Sequence, residues 1–332
     1  MQRFLLDLLE CPNCHGTLAW RIHARNGDHI ETGEALCAAC GGRYPVRDGI
    51  ALLLVPGERH EDLWEEAASG LASFLAANPA VDAQLTRGPL EALAPADQLF
   101  RALVLEERGD AAGAEAAYVT ARTGLYTSEY LACYAAEREW LVNALAGEER
   151  PVVDIASGRG DMAEALLPAL RGPLVLTDVS PRVLRNTRRR LAASGNAARV
   201  SLLACDARRT PFRAGSLPIL ATNFGLGSVP ETPRLLAELR RIAAGTLYAV
   251  TYFFPPDDAA NRAALVDAGL DALAFRAATL EAFSAAGWQA TLENTRRGHA
   301  EPTPRGVLIE DAVVDGLPVA PTELEWCVLV AR

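Results

Sequence analysis

The sequence predicts an α/β protein: a doubly wound, mostly parallel sheet, joined through a helical connector to a small N-terminal domain built on a metal. Three observations carry this expectation. Residues 151–167, PVVDIASGRGDMAEALL, read as a buried strand, a tight glycine turn and the first turns of a helix. Further apolar runs at 174–180, 200–212, 217–224 and 247–254 each read as a strand. At the other end of the chain, Cys11, Cys14, Cys37 and Cys40 fall as two CxxC pairs.

In the first of these stretches, Val152, Val153 and Ile155 supply the strand, and Met162, Ala163, Leu166 and Leu167 recur at helical spacing. Gly158 and Gly160 permit positive φ and close approach of a ligand to the backbone. The result is a helix N-terminus with bare N–H groups at the mouth of a sheet, a site for nucleotide-like ligands. Gly158-x-Gly160-x-x-Ala163 also fits the dinucleotide fingerprint, so two cofactor classes stand at this point. Three acids narrow the choice. Asp154 lies on the strand, four residues before Gly158, where a dinucleotide strand usually carries no acid; its carboxylate is expected to face the cleft and suit an ammonium group. Asp178 closes the 174–180 run, where an acid can accept both hydroxyls of a ribose. Asp206 closes the apolar run that begins at 200, beside an adenine site. Each acid alone is equally well explained as a solvated strand end or a helix cap. Three in order at strand ends are not.

With these residues in place, 126–332 resembles the class I S-adenosylmethionine-dependent methyltransferases. Asp154-x-x-x-Gly158-x-Gly160 is similar to that family's first motif, Asp178 to its ribose acid and Asp206 to its adenine-side acid. The resemblance implies a Rossmann-like seven-stranded sheet with the last strand antiparallel. It also implies cofactor contacts from Ala156, Ser157, Val179 and Ala207 beside those motifs, and from Asn223 at the end of the fourth strand, near the transferable methyl. A helix over 278–286, Gly287-Trp288, a strand at 288–293 and a closing strand at 324–332 match the family's C-terminal pattern. Tyr126 and Tyr130, just upstream of the first motif, have two readings: closure over the methionine end of the cofactor, or packing aromatics on a helix face.

The two CxxC pairs, Cys11-Pro-Asn-Cys14 and Cys37-Ala-Ala-Cys40, are separated by 22 residues. Each turn aims two thiolates at one point, so together they complete a tetrahedral four-sulfur shell for zinc, with rubredoxin-like iron the competitor. Four cysteines leave no open coordination position, which makes the metal structural. A segment of this size rarely builds an adequate core without such a staple. The same segment, LLDLLECPNC followed by CAACGGRYPVRDGIALLL, resembles the small zinc-ribbon proteins that act as activating partners of methyltransferases. In those systems the ribbon docks on a catalytic subunit, so the expectation here is a cis module that supports the transferase; the plainer reading is a ribbon that only caps the N-terminus.

These readings divide the chain into a ribbon domain at 1–56, a helical linker or lid at 57–125 and a methyltransferase domain at 126–332. The linker is alanine-rich, with Leu63, Ala67, Leu71, Phe74 and Leu75 at helical spacing. Pro79, Gly88-Pro89 and Pro95 break it into short helices, and 100–121 resembles one tetratricopeptide hairpin. Arg182, Arg185, Arg188, Arg189 and Arg190 form the densest basic cluster, expected as a solvated helix face or, less simply, a nucleic-acid patch. A formal charge of −10 over 332 residues argues against broad capture of phosphate backbones, and RNA would need a local patch. No run is long and apolar enough to cross a membrane. The N-terminus lacks a signal-peptide pattern, and the other cysteines, Cys133, Cys205 and Cys327, are isolated, so a reducing, cytoplasmic setting is expected.

Methyl transfer from a sulfonium requires alignment of the acceptor and exclusion of water, with a base needed only if the acceptor carries a proton. Candidates near that chemistry are Asn223, Tyr252 and His299, the last alternatively a loop histidine. The family's Asn/Asp-Pro-Pro-Tyr motif for exocyclic amino groups is absent, since the chain reads Thr222-Asn223-Phe224-Gly225. O-, C- and other N-acceptors stay open, with a small molecule favoured over RNA or protein. Two other classes also stay open: a non-catalytic module that binds a protein or RNA, and a nicotinamide-dependent oxidoreductase.

Overall fold

The computed structural model describes residues 1–58, 60–310 and 312–332. Four strands fold first: β1 (Leu18–Asn26), β2 (His29–Cys37), β3 (Arg43–Arg47) and β4 (Ile50–Leu52). Five helices follow: α1 (Leu63–Ala77), α2 (Pro79–Arg87), α3 (Pro95–Glu107), α4 (Ala111–Leu125) and α5 (Ser128–Ala144). The rest alternates: β5 (Val152–Asp154), α6 (Asp161–Leu166), β6 (Leu174–Asp178), α7 (Pro181–Ala193), β7 (Val200–Ala204), β8 (Leu217–Asn223), α8 (Thr232–Ile242) and β9 (Ala243–Phe253). It closes with α9 (Ala259–Asp267), α10 (Arg276–Ala285), β10 (Ala290–Ala300) and β11 (Thr322–Ala331).

All eleven strands belong to one sheet, ordered β1-β2-β3-β4-β7-β6-β5-β8-β9-β11-β10. From β7 to β10 this is the expected seven-stranded arrangement, with β11 antiparallel to both neighbours, β9 and β10. The order reverses at β5, which pairs in parallel with β6 on one side and β8 on the other. Ligands of open α/β sheets bind at such a switch point, and the glycine turn leaves β5 there. Strands β5, β6 and β7 are buried at every position, which explains their unbroken apolar runs. The third run is a strand only to Ala204, so Asp206 lies in the turn beyond it, bridging Arg209.

The ribbon does more than cap the N-terminus. Its β4 pairs in parallel with β7 through Ile50–Leu202, Ala51–Leu203 and Leu52–Ala204, and Leu53 continues the ladder by donating to the Ala204 carbonyl at 2.8 Å. A second seam joins Leu9 to Phe212, with the Glu10 N–H on the Pro211 carbonyl at 2.7 Å. Leu5, Leu9, Tyr44 and Leu53 share one apolar core with Val153, Leu203, Phe212, Leu220 and Leu239.

The connector is helical, as its pattern predicts. Helices α3 and α4 form an antiparallel hairpin, with Asp110 capping α4 by accepting from the Gly113 N–H at 2.9 Å. The crossover between β10 and β11 docks on this hairpin through the fully buried Asp97, which accepts from the N–H groups of Val307 and Leu308 at 3.0 Å each.

The arginine cluster corrects the sequence reading. Arg185 and Arg189 lie on an exposed face, as expected, but Arg182, Arg188 and Arg190 are taken up by partners, because α7 lies between the ribbon and the connector. Arg188 pairs with Glu31 of the ribbon at 2.6 Å, and Arg182 pairs with Glu65 of α1 and Glu107 of α3, each at 2.7 Å. Arg190 is buried against Glu106 of α3.

Leu9→Ala, at a fully buried seam position, should cost about 2–5 kcal/mol in urea unfolding. Deleting 1–56 should strip β7 of its partner and yield protein with no cooperative thermal transition. A soluble, cooperatively folding remainder would show that the ribbon is not part of the core.

Candidate functional site

The four ribbon thiols converge as their spacing requires. Their sulfurs all lie within 4.8 Å of one another, with Cys11–Cys40 at 3.6 Å and Cys14–Cys37 at 3.5 Å. A tetrahedral zinc with bonds of ~2.3 Å sets its sulfurs about 3.8 Å apart, so the cluster fits zinc with little movement. The Tyr44 hydroxyl lies 3.2 Å from the Cys11 sulfur, placed to donate to a thiolate from outside the shell.

At the sheet's switch point a cavity of about 320 Å³ opens between the glycine turn and the loops after β6, β7 and β8. Gly158 and Gly160 have φ of 51° and 76°, and a Cβ on Gly160 would come within 2.9 Å of the Thr187 side chain. Two lining residues that are not glycine also hold positive φ, Ala156 at 51° and Phe224 at 60°. Such backbone strain collects at functional sites. Asp178 at the end of β6 accepts from the Gly158 N–H at 2.8 Å and the Ser180 N–H at 2.9 Å, tying the turn to its neighbouring strand. Burial holds its carboxyl above the ordinary range, and those N–H groups oppose the shift. Asp206 is also partly buried, but a double hydrogen bond from Arg208 outweighs the desolvation and lowers its pKa. The Ser157 hydroxyl and the Asn223 side-chain oxygen are buried without a protein partner, although both residues line the cavity.

The connector forms the outer wall. Glu61, Leu63, Trp64 and Tyr118 line the cavity, and Trp64 would be 3.3 Å from a Cβ on Gly158. Arg159, between the two glycines, lies 4.2 Å from the Tyr118 ring centroid and 3.4 Å from Glu106.

A second, larger chamber of about 630 Å³ adjoins the first, sharing Leu63, Phe224 and Ser228 with it. Its walls are mostly apolar and include Tyr126, Tyr130, Tyr252, Phe254 and Phe283.

Comparison with known proteins agrees with this geometry. Residues 152–245 match a family described as a methyltransferase domain, and residues 2–49 match one described as Trm112p-like protein. The chain carries a class I methyltransferase domain behind a Trm112p-like zinc ribbon. Similar relatives are the ubiquinone/menaquinone biosynthesis C-methyltransferases of Cupriavidus metallidurans and Acidiphilium cryptum. The first is 37% identical over 111 residues, covering 32% of this chain and 45% of the relative. The second is 29% identical over 106 residues, covering 32% and 43%. The chain thus spans less than half the length of these curated relatives. Among solved structures, a methyltransferase from Aquifex aeolicus aligns with 59% of this chain and 90% of its own, at 13% identity and a TM-score of 0.41.

The first cavity of the methyltransferase domain fits S-adenosylmethionine in its donor set. Unpartnered polar atoms at Ser157 and Asn223, a glycine turn and two acids beyond adjacent strands face one space. Ala156, Val179 and Ala207 line it as well. Three sequence expectations are corrected by placement. Asp154 does not face the cleft: it is 1% exposed, lines neither cavity and has no protein partner for either oxygen. Burial, with the nearby Asp178 charge, pushes its pKa well up and favours the neutral acid. Tyr126 and Tyr130 line the second chamber and not the first, as does Tyr252, because α5 crosses β9 and β11 there. His299 lies on the edge strand β10, paired with Glu323 at 3.0 Å and Glu301 at 3.4 Å, and lines neither cavity.

Trp64, Tyr118 and Arg159 line the first cavity and Asp315 the second, and the sequence reading named none of them. Only Arg159 had a signal, its position inside the glycine turn. The others sit in a connector and a crossover loop that carry no fixed spacing.

Two outcomes test the site. Removing the metal with a chelator, or making Cys14→Ser, should eliminate one bound zinc per chain by elemental analysis and lower the thermal midpoint of the whole chain. Asp154→Asn addresses the buried acid. With a raised native pKa, wild type loses stability as pH climbs from the ordinary carboxylate range through that native value. The non-titrating amide does not, so its stability relative to wild type should rise over that interval in denaturant titrations.

Proposed function

We propose that the protein is an S-adenosylmethionine-dependent methyltransferase for a small acceptor, with the ribbon as its cis structural module. The carrying observation is the junction of two cavities at Phe224, one acid-bearing at the switch point, the other lined by aromatic side chains. In this reading 1–56 is the ribbon, 57–125 the lid and 126–332 the transferase.

The cofactor supplies an electrophilic methyl on a sulfonium, which leaves as a neutral thioether. The chain's own residues have three tasks. Asp178 would hold the ribose hydroxyls and Asp206 the adenine side, with the N–H groups of the glycine turn beside them. Asn223 donates to the Tyr134 hydroxyl at 3.1 Å, which fixes its amide and directs its unpartnered oxygen toward the space between cofactor and acceptor. Trp64, Leu63 and Phe224 cover the junction with apolar surface, which excludes water and strengthens each electrostatic contact inside.

Carbon methylation is favoured among the open acceptor chemistries by the relatives' descriptions as C-methyltransferases. The absence of the Pro-Pro-Tyr sequence after Asn223 counts against exocyclic amino acceptors and leaves O-, C- and other N-acceptors open.

Calorimetry should show S-adenosylmethionine binding to wild type. Asp178→Ala should weaken it about 10- to 100-fold, the range for a lost hydrogen bond to a charged group. Cofactor with a labelled methyl, added to cell extract, should then place label in the small-molecule fraction. No cofactor binding, or binding of reduced nicotinamide nucleotide in its place, would end this reading.

A further inference from the structure

The aromatic chamber carries an inference that rests on the methyltransferase reading and goes further. We propose that it is the acceptor site for a flat ring compound bearing an ionisable hydroxyl, and that Asp315 is the base that takes the hydroxyl proton.

Three features of the chamber select such a ligand. Its walls present aromatic faces and edges. Tyr126 and Tyr130 are stacked with centroids 4.7 Å apart, Tyr252 lies 5.4 Å from Phe224, and Trp326 backs Tyr252 at 5.1 Å. Slots of this kind favour a flat ring that can stack or meet them edge-on. The charge inventory is the second feature. Among the described lining residues there is no lysine, arginine or histidine, and Asp315 is the one carboxylate. An acceptor bearing phosphate or several carboxylates would find no cation here. The third feature is the position of that carboxylate. Asp315 lies on the crossover between β10 and β11, where its main chain is held by Thr303, whose hydroxyl donates to the Asp315 carbonyl at 3.2 Å. The Tyr126 hydroxyl donates to Oδ2 at 2.5 Å. An ionised carboxylate has further acceptor capacity, so it can take a ligand hydroxyl as well.

The groups facing Asp315 support this role. Burial by surrounding protein raises its pKa, and the Tyr126 hydrogen bond opposes the rise, although the side chain opens to solvent at the chamber rim. Tyr126, Tyr130 and Tyr252, titratable groups beside it from the α4–α5 turn, α5 and β9, are all held above the ordinary tyrosine range, first by burial and then by charge that includes Asp315. They stay neutral while Asp315 titrates, so the acid side of any pH profile belongs to Asp315.

The step balances within this set. The hydroxyl proton passes to Asp315, and the electron pair left on the acceptor, on oxygen or on a conjugated ring carbon, forms the bond to the methyl carbon. The carbon–sulfur bond breaks with its pair retained by sulfur, giving S-adenosylhomocysteine. If a ring carbon is methylated, its own proton then leaves to solvent.

The test needs neither the natural acceptor nor turnover. 4-Nitrophenol reports its own ionisation by absorbance and can be titrated onto wild-type protein without cofactor. Beside an ionised Asp315 the bound probe should hold its proton, so its apparent pKa should rise on binding. In Asp315→Asn that rise should fall by about one unit, tenfold in the ionisation constant, as expected when a neighbouring like charge is removed. Asp315→Glu should restore it. Tyr252→Ala should weaken probe binding without abolishing the wild-type rise. Calorimetry with S-adenosylmethionine on the same variants should match wild type, since Asp315 does not line the cofactor cavity. A wild type that does not bind the probe, or a bound-probe pKa unchanged by Asp315→Asn, overturns the proposal. Failure of wild type to bind S-adenosylmethionine would instead fall on the enzyme reading, and the probe titration would still decide whether the chamber takes a phenol.

Discussion

Three residue pairs, Ile50–Leu202, Ala51–Leu203 and Leu52–Ala204, set the conditions for the rest of the molecule. A parallel sheet needs both faces covered, and its edges need a partner or protection. Strand β7 is buried at every position, yet without β4 it would end the transferase sheet. The ribbon supplies that missing neighbour and lends its apolar residues to the same core. The four cysteines sit before β1 and around the β2–β3 turn, and β4 of the same unit holds the edge of the strand whose following turn carries Asp206.

The same logic makes α7 a hub. A helix with arginines at 182, 188 and 190 packs between two acid-bearing units and neutralises both. Glu106 receives Arg190 and Arg159 together, so the glycine turn, α7 and the lid meet at one buried carboxylate. Buried ion pairs of this kind add little net stability compared with apolar packing, but removing one partner is costly. Their value is in register. The position of α3 in the connector is tied through Glu106 to the glycine turn and to α7.

Much of the sheet could be read from the residues because buried parallel strands are written as continuous apolar runs. The glycine turn and the CxxC pairs were legible because they encode backbone geometry and ligand chemistry at fixed spacing. What was not legible depends on long-range packing. Arginines on a helix look alike whether they meet water or Glu31 and Glu106, more than 70 residues away. Asp154 reads as a cleft acid because alternation along a strand gives the face but not the depth. Trp64 reaches the first cavity from a helix whose spacing shows its periodicity but not what it covers, and Asp315 reaches the second from a crossover loop with no pattern.

The two cavities treat carboxylates in opposite ways, and this bears on how one site can serve two ligands. Around the first, Asp178 is tied to backbone N–H groups and Asp206 to Arg208, so each carries fixed acceptors for hydroxyls or amines without needing to gain or lose a proton. In the second, Asp315 is surrounded by tyrosines and one hydrogen bond, and no cationic side chain lines the chamber among the described residues. A carboxylate in that setting gives up little when it becomes protonated. In the proposed reading, the number of donors fixed on each acid before a ligand arrives separates recognition in the first cavity from proton transfer in the second.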